Sequence, residues 1–289
     1  MSSGDEHESN NPPWYAPDRP GGKFNASGVP NRLFQHPVIQ QRKIYLSHAV
    51  QPGVVFFTLV APAPALLGNQ VVKILHTDKE EMAIYERLLP ELHRLNNHTI
   101  PGEITRTGHP LLIMPRLNNI NNLYKRERWT PRRLMDAILQ VVEGVEYLHG
   151  KHIAHMDLHP DNLVVGTRQT AAEHERVVEN RIYIIDFDQS RQFTLGPGVQ
   201  RAITLPDTVH DPPNGLTSFD PYSWDVYCMG RTLHQVVEEY VTDRTCIRVV
   251  RRLTGSLRST FGGWLVTNGS EAVLAYAAAV PPHVWRCGF

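Results

Sequence analysis

Residues able to do chemistry gather in one stretch, with two outliers. The stretch runs His152-Ile-Ala-His155-Met-Asp157-Leu-His159-Pro-Asp161-Asn162. A second acidic pair, Asp186 and Asp188, brackets Phe187. A lone Lys73 stands among Val71, Val72 and Ile74. Carboxylates and a carboxamide are hard oxygen donors of the kind that Mg²⁺ takes. A carboxylate can also orient or accept the proton of an attacking hydroxyl. A strand lysine can hold an anion, although its plainer use is an ammonium reaching water. His149, His152, His155 and His159 allow a different chemistry, a zinc site, because imidazole is a common zinc ligand. A helix-face histidine pair still needs a third ligand, and the scattered Cys228, Cys246 and Cys287 form no metal pattern.

In order and spacing, these parts resemble the protein-kinase superfamily. The catalytic loop there reads H-R-D-x-x-x-x-N, the metal motif D-F-G, and the nucleotide lysine lies in V-A-I-K. The counterparts are His155-Met-Asp157 with Asn162, Ile184-Ile-Asp186-Phe-Asp188, and Val71-Val72-Lys73-Ile74. The likeness covers roughly residues 40–240. It implies ATP and Mg²⁺ as cofactors. Asp157 is then the catalytic group that acts on the acceptor hydroxyl, Asn162 and Asp186 are the metal ligands, and Lys73 holds the α- and β-phosphates. A glutamate of the next helix pairs with Lys73. Spacing to Leu88 favours Glu81, with Glu80 and Glu86 as alternatives. Met114 matches the gatekeeper behind an adenine pocket, and Pro115 to Leu117 the hinge. His155 and Phe187 would pack beneath the site, with Tyr85 above.

Several positions depart from the pattern. Met156 replaces the arginine before the catalytic aspartate, Asp188 replaces a glycine, and His159 stands where a lysine is usual. Aligned on Gly53-Val-Val55, the loop G-x-G-x-x-G-x-V keeps only its third glycine, with His48 and Val50 at the other two positions. The string His-Met-Asp157-Leu-His-Pro-Asp-Asn162 is also similar to the H-G-D-L-H-P-G-N of aminoglycoside- and choline-type phosphotransferases. The approach Tyr147-Leu-His149 and the helix carrying Asp225 look more like protein kinases. The resemblance therefore implies an ATP-dependent phosphotransferase, a protein serine/threonine kinase-like enzyme. The alternatives are a pseudokinase scaffold and a small-molecule kinase. The expected partner is a protein substrate, or a small-molecule alcohol.

The elements that must position these groups follow from local pattern. Arg42–Ser47 and Gly53–Val60 are rich in β-branched and aromatic residues and predict two strands, with a third over Gly68–Leu75. Thr77–Leu89 predicts a helix capped by Thr77 or Asp78 and stopped by Pro90. Gly108–Leu117 predicts another strand. From Thr130, a cap followed by Pro131, a helix runs to His149 with Leu134, Ile138, Val141, Val145 and Leu148 as its apolar stripe. Gly166–Asn180 is polar and separates two short strands. Asp220 to Tyr240 predicts a helix, and Ala-rich Ser270–Val280 a last one. The expected class is α+β, a two-lobed kinase-like fold. A small β-rich N-lobe spans 31–116, and a mainly helical C-lobe, shorter than a full one, spans 117–289. Residues 1–30 are rich in Ser, Asn, Pro and Gly and predict a disordered tail, with Trp14 and Tyr15 as candidates to dock.

Composition bounds the rest. The 289 residues are 41% hydrophobic, enough for a buried core. Lys+Arg and Asp+Glu both number 29, so bulk charge points to neither nucleic acid nor membrane as a partner. The longest apolar run, Gly53–Gly68, is broken by Pro62 and Pro64, and the first residues lack a basic-then-apolar leader. An intracellular site, cytoplasmic or nuclear, is the expectation.

Overall fold

The computed structural model describes residues 10–17, 24–58, 69–121, 131–212 and 217–240. The chain divides into two compact units, Met1–Met82 with Pro101–Arg116, and Ala83–Ile100 with Leu117–Phe289.

The first unit is built on strands β1 (Leu46–Gln51), β2 (Val55–Thr58), β3 (Gln70–Ile74), β4 (Glu103–Ile104) and β5 (Leu111–Pro115). They form one antiparallel sheet in the order β1-β2-β3-β5-β4. β3 and β5 are near-continuous apolar runs, as expected for strands covered on both faces. Two short helices, Asn31–Phe34 and Pro37–Gln41, precede the sheet. The second lies immediately ahead of Arg42, where the sequence pattern suggests a strand. His36 Nδ1 accepts from the Val38 amide and Pro37 fills the first turn, so the helix starts there.

Trp14 takes the docked alternative. It is 6% exposed and belongs to the same apolar cluster as Leu33, Ile39, Phe56, Val72, Ile74 and Leu111. The Arg32 guanidinium lies 4.1 Å over its ring, and the His109 ring meets its edge at 4.7 Å. Its amide donates to Gly53 O at 2.9 Å. Gly53 has φ +71° in the β1–β2 turn, and an added Cβ there would lie 2.8 Å from Pro13 Cβ. Both the backbone angle and the crossing chain therefore require glycine.

Helix α1 (Glu81–Leu88) begins later than the pattern from Thr77 suggests. Thr77 donates both its amide and its hydroxyl to Asn11 Oδ1, at 2.8 and 2.7 Å. That pins Thr77 outside the helix.

The second unit is organised by α2 (Pro131–Gly150) and α4 (Pro221–Tyr240), each of 20 residues. Between them lie β7 (Ile153–Ala154), β8 (Leu163–Val165), α3 (Arg168–Glu173), β9 (Ile182–Ile184), β10 (Arg191–Gln192), β11 (Ile203–Thr204) and β12 (Ser218–Phe219). β6 (Asn118–Asn119) joins β8 and β9 in a three-stranded sheet, while β7 pairs with β10 and β11 with β12. The α2 stripe Leu134, Ile138, Val141, Val145 and Leu148 is buried throughout. Within α2, a Cβ on Gly144 would lie 2.8 Å from Ile184 Cδ1 and 2.9 Å from His98 Cβ, so glycine lets the helix close on β9. The polar 166–180 segment contains α3, which composition alone does not suggest. Thr167 and Thr170 cap it reciprocally, each side chain meeting the other's backbone amide. The expected helix over Ser270–Val280, the Thr130 cap and the end of the expected C-lobe fall outside the described residues. Among the described residues, no helix is long and apolar enough to cross a membrane.

His98 gives this unit a pH signature. Its Nδ1–H donates to Ile182 O at 2.7 Å, and burial lowers the imidazole pKa to about 4. Glu143, half exposed and 3.7 Å from Nε2, does not offset that burial. The folded state binds the proton more weakly than the unfolded chain. Stability is therefore full above the ordinary value of 6.5 and is lost as pH falls from there towards 4. The expected loss is on the order of 3 kcal/mol. Urea unfolding across that window should show it, and His98→Gln should flatten this part of the profile. An unchanged profile in the variant would place the effect elsewhere.

Candidate active site

β3 places Lys73 in mid-strand, with Leu112 and Val55 as its cross-strand neighbours. Its Nζ donates to Glu81 Oε1 at 2.7 Å, and the two side chains are 4% and 0% exposed. Taking two charges this far from water costs several kcal/mol per ion before their attraction repays it. The alternatives Glu80 and Glu86 are half-buried. Met114 is buried opposite Val71 on β5, and Leu117 is half-buried at the start of the second unit. Lys73, Glu81 and Met114 belong to the first unit; Asp157, Asn162 and Asp186 belong to the second.

In the second unit, helix α4 anchors the loop that carries Asp157. Asp220 caps the helix, accepting from the amides of Tyr222 and Ser223, and Pro221 opens it. This fixes Trp224 and Asp225 one turn in. Asp225 is fully buried, and its carboxylate takes three donors. Oδ2 accepts from His155 N at 2.7 Å and His149 Nε2 at 2.9 Å, and Oδ1 from Met156 N at 2.5 Å. The Trp224 indole donates to Met156 O at 2.9 Å, and Thr232 of the same helix donates to Leu158 O at 3.0 Å. From the other side, the Ser190 hydroxyl donates to His155 O at 2.9 Å.

Within the loop, His155 bridges neighbours in one tautomer. Nδ1 accepts from Asp157 N at 3.3 Å, so Nε2–H is left to donate to Ile185 O at 3.0 Å. Burial lowers this imidazole's pKa, which favours the neutral ring that the pattern requires. Asn162 Nδ2 donates to Asp157 O at 2.9 Å, while Ile185 N donates to Asn162 O at 3.1 Å. The amide nitrogen is thus committed, which leaves Asn162 Oδ1 as a hard oxygen donor. The Asp186 carboxylate, in the same unit, is an oxygen donor of the same hard type, the type that Mg²⁺ takes. Met156 and Asp186 adopt left-handed φ of +67° and +65°. Such angles cost a residue with a Cβ roughly 1–2 kcal/mol, so the anchoring bonds offset real strain.

Three rings lie against one another beneath the loop. Phe187 meets Tyr85 edge-on at 5.0 Å and His155 at 5.2 Å, the packing that the resemblance to kinases implies. The Asp157 carboxylate itself is 19% exposed. Its Oδ1 accepts from Val209 N at 3.3 Å, and its Oδ2 lies 3.7 Å from His159 Nε2. The four histidines go separate ways. His149 turns to Asp225, His155 to Ile185, His159 towards Asp157 and Asp161, and His152 towards Gly196. Among the described residues, no three His, Cys, Asp or Glu side chains gather as a metal site, so the zinc alternative gains no support. Trp224, Ser190, Thr232 and Val209 are the site residues that sequence reasoning missed. They are single residues reaching a loop from a distance, and no spacing marks them.

The sequence model of the Protein kinase domain matches residues 69–242, more than half of the chain. The chain belongs to the protein kinase family. Its relatives include a protein named "Probable myosin light chain kinase" from Dictyostelium discoideum, 34% identical over 105 residues, which cover 35% of this chain and 28% of that one. Human receptor-interacting serine/threonine-protein kinase 1 is 31% identical over 107 residues, covering 34% of this chain and 16% of its own length. Serine/threonine-protein kinase STK11 of Mus musculus is 28% identical over 97 residues, covering 34% and 21%. The matched stretch thus spans a minor part of each relative. In this chain Met156, ahead of Asp157, is fully buried, and the β1–β2 turn has three residues, Pro52–Val54.

Proposed function

We propose that this kinase-family chain transfers the γ-phosphate of Mg-ATP to a hydroxyl of a protein serine or threonine. The observation that carries the proposal is the buried Lys73–Glu81 pair. Well-packed apolar residues would serve a purely structural interior as well or better. An ammonium kept there at such a desolvation cost suits a group that holds phosphates. In this reading, Lys73 binds the α- and β-phosphates, and Glu81 orients Lys73. Met114 backs the adenine, with Leu117 at its edge. Asn162 and Asp186 hold Mg²⁺, which when bound neutralises phosphate charge. Asp157 orients the acceptor hydroxyl and takes its proton as the oxygen attacks phosphorus. Residues 31–116 serve as the small lobe and 117–289 as the large one. The acceptor is an intracellular protein, in line with the serine/threonine-protein kinases among the relatives.

A second reading, a pseudokinase scaffold, has one observation in its favour. The place of the glycine loop is a tight turn crossed by Pro13–Tyr15, with His48 and Val50 inside β1. The purified chain decides between the two. Binding of ATP should require Mg²⁺, and label from γ-labelled ATP should pass to some member of a mixed panel of proteins and small alcohols. Transfer to a protein hydroxyl supports the first reading. Transfer to alcohols alone favours a small-molecule kinase, and tight binding with no transfer favours the scaffold.

A further inference from the structure

The peptide between Met156 and Asp157 is held at both ends. Its carbonyl, Met156 O, accepts from Trp224 Nε1 at 2.9 Å. Its amide, Asp157 N, donates to His155 Nδ1 at 3.3 Å. Met156 itself is fully buried and left-handed, and its own amide is fixed by Asp225 Oδ1. Trp224 is fully buried as well, stacked on Tyr227 at 5.3 Å with 27° between planes. The indole therefore cannot swing away without opening the core around α4. The rotation of this peptide plane sets the direction in which the Asp157 side chain leaves the loop.

We propose that Trp224 is a positioning residue for Asp157. Its indole N–H fixes the Met156–Asp157 peptide and aims the carboxylate. Met156 is apolar, so the loop is held at this point through its backbone, by Trp224 and Asp225 of helix α4. The inference rests on Asp157 acting on the acceptor hydroxyl, as proposed above. The competing view is that Trp224 only fills space. A space-filler's loss lowers stability, whereas a positioning residue's loss lowers kcat and spares the nucleotide KM.

The test replaces the Trp224 indole by its benzothiophene isostere in the full chain, which removes the N–H and keeps the shape. Trp224→Phe accompanies it, and Asp157→Asn serves as the inactive reference. The isostere should show a kcat lower by on the order of 10-fold. Its KM for Mg-ATP should stay within about 2-fold of the parent. Hydrogen exchange at the Asp157 amide should be faster. Trp224→Phe should share the loss of kcat and also melt earlier, because it removes buried volume. A parental kcat in the isostere overturns the proposal, and so does a loss of kcat with unchanged exchange at Asp157. If the parent transfers no more phosphate than Asp157→Asn, the assignment of activity falls. The exchange comparison then decides alone whether the indole holds this peptide.

Discussion

Asp157→Asn should lower turnover by on the order of 10²–10⁴-fold while leaving Mg-ATP affinity near the parental value. The substitution is nearly isosteric, and the loop around it depends little on the carboxylate. Asp157 is held through its backbone, by His155 Nδ1 at its amide and Asn162 Nδ2 at its carbonyl. The new carboxamide oxygen can still accept from Val209 N, the one hydrogen bond that the Asp157 side chain receives from a backbone amide among the described residues. What disappears is the ability to take a proton. Nucleotide binding rests on Lys73, Asn162 and Asp186 in the proposed assignment, so it should survive. Isothermal titration with Mg-ATP beside a turnover assay separates the two effects. Parental turnover would remove Asp157 from the chemistry. A matching loss of affinity would assign it to the nucleotide instead.

Asp225→Ala should have the largest effect on folding. The carboxylate is fully buried and satisfies the amides of His155 and Met156 and the His149 imidazole. Alanine leaves all three donors without an acceptor in a dry interior. Each such group costs about 1–3 kcal/mol, and the sum should be on the order of 3–5 kcal/mol after local relaxation. Asp225→Asn should fall in between. Its single carboxamide oxygen can serve one backbone amide, and His149 can change tautomer to accept from the new NH₂, which leaves one amide unmet. Thermal or urea melts should therefore rank parent, Asn, then Ala. Catalytic-loop amides should lose exchange protection in the same order. Equal stability in all three would show that the loop is held by something other than this carboxylate.

The parts of the site that chemistry restricts by type and spacing are legible in the sequence. The amine, oxygen donors and proton acceptor that the proposed chemistry needs allow few substitutes, so Lys73, Asp157, Asn162 and Asp186 stand out in order along the chain. Strands β3 and β5 and helix α2 are legible because their apolar patterns are long and unbroken. Elements decided by distant partners are not. Trp14 sits in a polar stretch whose composition argues for disorder, and its burial is decided by residues far along the chain, the apolar cluster around Phe56 and Leu111 together with His109, Arg32 and Gly53. Helix α1 starts at Glu81 because Asn11, far upstream, captures Thr77. The threonine pair that caps α3 replaces the usual Ser/Thr-x-x-Glu form, so it carries no ready pattern. The indole bond to Met156 joins two residues that no local rule connects.

Trp14 also bears on how the gene can be cut. The family match opens at residue 69. Expression from that boundary would discard Trp14, Leu33, Ile39 and Phe56 from the apolar cluster of the first unit. It would also strip β2 from β3. A row of bare N–H and C=O groups beside Val71 and Val72 is a template for a second copy to pair with. A recombinant fragment trimmed to the homology limit thus inherits a sticky sheet edge. The strand that covers this edge, β2, and its cluster partners Trp14, Leu33 and Ile39 all lie upstream of the matched region.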